Sequence, residues 1–199
     1  MVDCCKKVND RHFPPALFMI GGVLRRMFGR TPRSILGTFL KEGMSVVDAG
    51  SGPGYFTRYI SDSIGKTGKL LSLDSDPRMV MTVEKLCRKK NLSNVAIKEG
   101  SAAAMDFIPD QSADFVLSSG VLCCMAEHDK AVSEITRIMK DTGVAMISVS
   151  KHLPESDPRT VSKAEWRSIL ARFNIVSESE TAMELKAAVS KRVGNQENP

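Results

Sequence analysis

The chain has 199 residues, 42% of them hydrophobic and 26% charged, with a net charge of +5. These values fit a globular chain that buries a core without disulfide staples, and they exclude a disordered, collagenous or coiled-coil protein. The longest apolar run, residues 16–24, spans nine positions, against the roughly 18 that a membrane-spanning helix needs. Arg25 and Arg26 stand where a signal peptide would place its small cleavage residues.

Two helices are expected first. One covers residues 16–28, after Pro14 and Pro15, and the other residues 32–40, with Pro32 at its first position. Leu17, Ile20, Leu24 and Met27 share a face of the first helix, with Arg25, Arg26 and Arg30 away from it. Residues 1–40 hold seven basic and two acidic side chains, so they account for the whole net charge. The pattern changes after Gly43. A β-branched run, residues 45–48, ends in Ala49-Gly50-Ser51-Gly52-Pro53-Gly54. The next helix has Phe56, Tyr59, Ile60 and Ile64 on one face. Further strands are expected at 69–73, 95–97, 115–117 and 143–149. A helix opened by Asp76-Pro77 carries Val80, Val83, Leu86 and Cys87, and another is marked by Ala131, Ile135 and Ile138. Ser162-x-x-Glu165 is a capping box before Trp166, Ile169, Leu170 and Phe173. Two alternating stretches, 174–180 and 183–189, suit an antiparallel hairpin at a sheet edge.

Strands alternating with helices of this length predict a doubly wound, mostly parallel α/β sheet, here of seven strands with a C-terminal antiparallel hairpin. The expected organisation is one domain over residues 1–199. Residues 1–40 form a basic helical cap, 41–152 a ligand-binding core, and 153–192 the last helix and edge strands. The five cysteines, Cys4, Cys5, Cys87, Cys123 and Cys124, are odd in number and contain no C-x-x-C. That pattern fits neither a disulfide framework nor a zinc site. A cytoplasmic protein with no metal is therefore the expectation.

Ligands of open α/β sheets sit at the carboxyl ends of the strands, where glycines let backbone approach a ligand and a helix N-terminus favours an anionic group. A dinucleotide motif would need its third glycine at Tyr55, and a P-loop ending in Gly65-Lys66-Thr67 would need its first glycine at Ile60. The pattern D-x-G-x-G-x-G is satisfied fully by Asp48 through Gly54. Asp74 ends the second strand, 24 residues after Gly50, where a carboxylate accepts both hydroxyls of a ribose.

This combination resembles the class I S-adenosylmethionine-dependent methyltransferases over residues 40–150, nearest the small-molecule branch that includes the ubiquinone/menaquinone-biosynthesis enzymes. The resemblance implies S-adenosyl-L-methionine as cofactor. It puts Gly50 and Gly52 beneath the methionine part, with Ser51 and Gly54 also among the cofactor-binding residues, Asp48 at the ammonium, Asp74 on the ribose, and Ser75 and Met79 near the adenine. Ser101 and Ala102 stand where the family has an acidic residue and alanine at the adenine amino group, so charge is missing there. Ser118 closes the site from the fourth strand. Ala113-Asp114-Phe115-Val116 and Lys140-Asp141-Thr142-Gly143 stand for the family's Phe-Asp-x-Val and Lys-Pro-Gly-Gly turns. Both are structural departures, with Asp114 at a turn.

The function implied is methyl transfer by in-line displacement to a small-molecule acceptor, anionic or membrane-associated to match the basic cap. A non-catalytic binding module and a thiol-assisted metalloid or RNA methyltransferase are the alternatives. Against nucleic acid stand Ser118-Ser119-Gly120-Val121, which is no amino-methylating motif, and the scarcity of aromatics for base stacking. No catalytic residue is legible. Cys123 and Cys124 read as small packed residues or as a nucleophile or soft-metal ligand. His128 and His152 read as surface residues or as a general base.

Overall fold

The structure is a computed structural model and describes residues 31–151, 154 and 156–192. The expected helix at 16–28, His152 and most of the basic cap lie outside the described residues. A short helix α1 (Pro32–Leu36) starts as expected at Pro32, capped by Thr31, whose Oγ1 accepts from the Ser34 amide. It ends earlier than Leu40, and the chain turns from Gly37 onward.

Then follow β1 (Ser45–Ala49), α2 (Thr57–Ile64), β2 (Lys69–Asp74), α3 (Pro77–Lys90), β3 (Val95–Glu99) and β4 (Ala113–Ser119). A 3-10 turn (Leu122–Cys124) leads to α4 (His128–Ile138), β5 (Met139–Ser150), α5 (Lys163–Leu170), β6 (Phe173–Glu180) and β7 (Glu184–Lys191). The best-specified helix is α3. Asp76 accepts from the Arg78 amide, Pro77 fills the first turn, and Arg88, Lys89 and Lys90 complement the dipole at the far end. Ser162 caps α5 as expected, its Oγ accepting from the Glu165 amide at 3.1 Å, but the Glu165 carboxylate reaches His128 instead of closing the box.

The seven strands lie in the order β3-β2-β1-β4-β5-β7-β6, parallel except for β7, which runs antiparallel to both neighbours. The order reverses between β1 and β4, the place where such sheets open a crevice. Strand β1 is buried from Val46 to Ala49 because both its faces are covered. On one face Val46, Leu70, Phe115 and Met146 pack beneath Leu36, Phe56, Ile60 and Ile64. On the other, Val47, Val116, Ala145 and Ile147 pack beneath Ile135, Trp166 and Ile169.

One strand departs from expectation. The turn expected at 140–143 is absorbed into β5, which begins at Met139. Ala113 pairs with Met139, but Phe115 pairs with Val144, so residues 140–143 swell out of the ladder as a wide bulge. Asp114 explains why. Its Oδ1 accepts from Lys140 Nζ at 2.6 Å and its Oδ2 from the Ser45 amide at 2.8 Å. Burial pushes this carboxyl up, but Lys140 and the Ser45 amide outweigh it and hold it below the usual carboxylate range. Asp114 is a structural anchor at the amino ends of the strands.

Candidate cofactor site

At the carboxyl end of β1 the chain turns three times through positive φ, at Gly50 (79°), Gly52 (54°) and Gly54 (84°). A side chain at Gly50 is excluded, because its Cβ would stand 2.3 Å from Val121 Cγ2, and one at Gly54 would stand 2.9 Å from Leu86 Cδ2. At Gly52 no described residue lies within 4 Å of that position, so among the described residues the backbone there faces open space. The loop is tied to β2: Gly50 and Ser51 amides both donate to the Leu73 carbonyl, at 2.8 and 2.9 Å, and the Gly52 amide donates to Asp74 Oδ2 at 2.7 Å.

Asp74 therefore has a structural task as well as the expected binding one. Its other oxygen accepts from the Asp76 amide at 2.9 Å. A carboxylate offers about four lone-pair sites, so holding the turn and accepting from a ligand are compatible tasks. Asp48 is 1% exposed, yet its Oδ2 finds no partner among the described residues. Burial pushes its carboxyl up to about 7, and the negative charge of Asp74 adds to the shift. A buried acceptor in this state is costly unless a donor arrives from outside the chain. The Ser118 hydroxyl at the end of β4 is likewise buried and unpartnered.

The predicted residues divide by place. Asp48, Gly50, Ser51, Gly52, Gly54, Asp74 and Ser118 gather at the carboxyl ends of β1, β2 and β4. Ser75 follows Asp74 in the turn to α3, and Met79 is buried in the first turn of that helix. Ser101 and Ala102 follow β3. Ser101 Oγ accepts from the Ala103 amide at 3.2 Å, and Ala102 packs into the core, leaving only its backbone for a ligand. Sequence reasoning missed Thr57 and Ser72, whose hydroxyls are buried without partners among the described residues. Ser72 is the register partner of Asp48 on the neighbouring parallel strand, so the two share a face. A polar residue at an inward position of a strand is the signal that was there to find.

His128 does not lie at the surface. It is 6% exposed, with Nδ1 2.6 Å from Glu165 Oε1 and Nε2 2.7 Å from the Met125 carbonyl. Both ring nitrogens are occupied, so it joins α4 to α5 and holds no nitrogen ready for a substrate proton. The sequence reads it as exposed because its partner lies 37 residues away.

The residues fit a cationic amino acid joined to a nucleoside. Two carboxylates flank a backbone cradle, one of them lacking a donor, and the open side at Gly52 admits a ligand. Asp48 would hold an ammonium and Asp74 a ribose. Exchanging Asp74 for Asn is expected to weaken S-adenosylmethionine binding by about tenfold to a hundredfold, since bonds to a charged acceptor contribute about 1.5–3 kcal/mol each. Ser101→Ala should cost less than tenfold, because a single neutral bond is at stake. Calorimetry on both variants gives the order, and the reverse order would misplace ribose and adenine.

Comparison with known proteins agrees. A family profile described as "Methyltransferase domain" matches residues 40–189. The tRNA (adenine(57)-N(1)/adenine(58)-N(1))-methyltransferase TrmI of Methanocaldococcus jannaschii is 43% identical over 61 residues, 31% of this chain and 20% of that protein. The ubiquinone/menaquinone biosynthesis C-methyltransferase UbiE of Salmonella arizonae is 30% identical over 109 residues, 54% of this chain and 43% of that protein. The chain thus spans less than half the length of these curated relatives. A SAM-dependent methyltransferase from Aquifex aeolicus superposes with a TM-score of 0.74 at 25% identity, over 89% of this chain and 98% of its own. The [4+2]-cyclase SpnF superposes at 0.70 with 16% identity, over 81% of this chain and 80% of its own, a likeness of fold alone. Among the described residues no helix is long and apolar enough to cross a membrane. By its glycine loop, its strand order and the match over residues 40–189, the chain belongs to the methyltransferase domain family, with the class I fold that uses S-adenosylmethionine.

Proposed function

We propose that the protein transfers the methyl group of S-adenosylmethionine to a small-molecule acceptor by in-line displacement. The observation that carries this reading is the buried Asp48 carboxylate, whose Oδ2 has no donor among the described residues, beside backbone that opens at Gly52. When bound, the cofactor supplies an electrophilic methyl on a positive sulfur. The chain's own part is placement. Asp48 and Asp74 set two carboxylates around the glycine loop, which favours a cationic ligand over its neutral product. The Ser119 and Ser148 hydroxyls lie 3.3 Å apart where β4 and β5 end, giving the acceptor side a polar rim. An acceptor held there in line needs little acid–base help if it is already nucleophilic. This agrees with the engagement of both nitrogens of His128. The basic residues of 1–40 favour an acceptor that is anionic or membrane-associated, as in the branch that includes the quinone-biosynthesis enzymes.

Calorimetry with four ligands tests the reading. S-adenosylmethionine and its demethylated product should both bind more tightly than NAD or ATP. Tighter binding of either nucleotide would overturn it.

A further inference from the structure

After β4 the chain passes Gly120 at a φ of 72° and enters the 3-10 turn. The Gly120 amide donates to the Ser148 carbonyl at 2.9 Å, which fixes the peptide. Its carbonyl then accepts from two thiols at once, with Cys123 Sγ and Cys124 Sγ each 3.3 Å away. The two thiols stand on consecutive residues and converge on one carbonyl, and the Cys124 thiol is within hydrogen-bond reach of the Cys123 sulfur. Cys123 is buried and Cys124 half-buried, so the pair is approached through Cys124. A hydrogen bond from the Cys124 thiol lowers the Cys123 thiol below its ordinary range. Burial opposes this, while the Ser150 and Cys123 amides and the charge of His128 reinforce it.

Adjacent thiols suit some partners and not others. Consecutive Cα atoms are about 3.8 Å apart, shorter than the roughly 4.4–6.8 Å of ordinary disulfides, so direct oxidation to an S–S bond meets strain. A third atom between the sulfurs lengthens the bridge and removes that strain. No group of three or more His, Cys, Asp or Glu side chains stands ready for a metal ion among the described residues, so a tetrahedral zinc set is absent there. A linear two-coordinate ion needs its sulfurs on opposite sides. A pyramidal trivalent centre takes them side by side.

We propose that Cys123 and Cys124 form a dithiol site for a trivalent arsenical. With phenylarsine oxide, two sulfur–arsenic bonds form and the arsenic–oxygen bonds break. The two thiol protons leave with that oxygen as water, and arsenic stays trivalent, so no oxidant or reductant is needed. The site stands apart from the methyl-transfer reading, since chelation needs only the two thiols.

The test uses the full reduced chain carrying Cys4→Ser and Cys5→Ser, because that second adjacent pair would compete. Phenylarsine oxide should add once per chain by intact mass and remove two titratable thiols. 2,3-dimercaptopropanol should release it, while a monothiol at equal concentration should not. Cys124→Ser and Cys123→Ser should each weaken binding by about a hundredfold or more, the loss expected when a two-point attachment becomes one-point. Cys87→Ser should leave binding unchanged, because Cys87 is buried in α3 and burial pushes its thiol up. If Cys123→Ser fails to fold, the half-buried Cys124 variant decides. An adduct that consumes one thiol, or that survives Cys124→Ser at full affinity, would overturn the proposal.

Discussion

Asp48→Asn is expected to weaken S-adenosylmethionine binding by more than a hundredfold, about 3 kcal/mol, and at the same time to make the ligand-free protein more stable above neutral pH. Both effects come from one buried carboxylate. The ammonium of the cofactor needs a charged acceptor, and an amide oxygen replaces it poorly. Without ligand, the same charge is a burden. The carboxyl ionises at about 7 in the folded chain against an ordinary 3.8, so the folded state keeps a proton that the unfolded chain has released. Stability from this group is therefore present at low pH and declines as pH rises from about 4 to about 7. Melting of the ligand-free wild type should show that decline, and Asp48→Asn should lack it. Cofactor binding to the wild type should tighten as pH rises through 7, because ionised Asp48 is the binding form. Equal pH profiles for the two proteins would mean that Asp48 does not titrate in this range.

The second large effect separates two glycines that look alike in sequence. Gly50→Ala should destabilise the fold by about 2–5 kcal/mol, combining left-handed backbone strain of roughly 1–2 with overpacking of about 1–3. The new methyl would meet Val121 at 2.3 Å, and the turn after β4 would have to move. Gly52→Ala carries the backbone strain alone, since its methyl projects where no atom lies within 4 Å. Its damage should appear in the cofactor instead, with affinity down more than tenfold while the melting temperature changes modestly. Chemical denaturation and calorimetry on both variants check the separation. A Gly52→Ala protein that binds normally would show that the cofactor does not pass over this residue.

The placement of the candidate cofactor residues was legible because its signal is local. The positions of Asp48, Gly50, Gly52 and Gly54 follow from one strand feeding one sharp turn, and Asp74 follows from the length of a single β-α-β unit. The parallel pairing of the first five strands was legible from the alternation of helices and strands, since crossovers of that length force it. What stayed hidden depends on distant partners. His128 is buried by Glu165 and Met125, and the wide bulge of β5 is held by Asp114, 26 residues before Lys140. The structural task of Asp74 was hidden too, because its grip on the Gly52 amide exists only once β1 and β2 pair. The burial of the Met79 and Ala102 side chains was hidden likewise, because it depends on what packs over them.

The placement of β7 has a consequence for how the protein is made. Synthesis delivers β6 before β7, yet β7 lies between β5 and β6 in the sheet. When residues 173–180 leave the ribosome, the neighbour they will pair with does not yet exist, and β5 has an open edge. Ile175 and Val176, still half exposed in the finished fold, are then without any ladder. The nascent chain must hold that edge unpaired until residues 184–191 arrive and zip both sides at once. Non-local closure of this kind is slow and leaves strand edges open to wrong pairing. The alternating Glu and Ser from Ser177 to Glu180 put charge on the waiting strand, a feature that discourages association between unfinished copies.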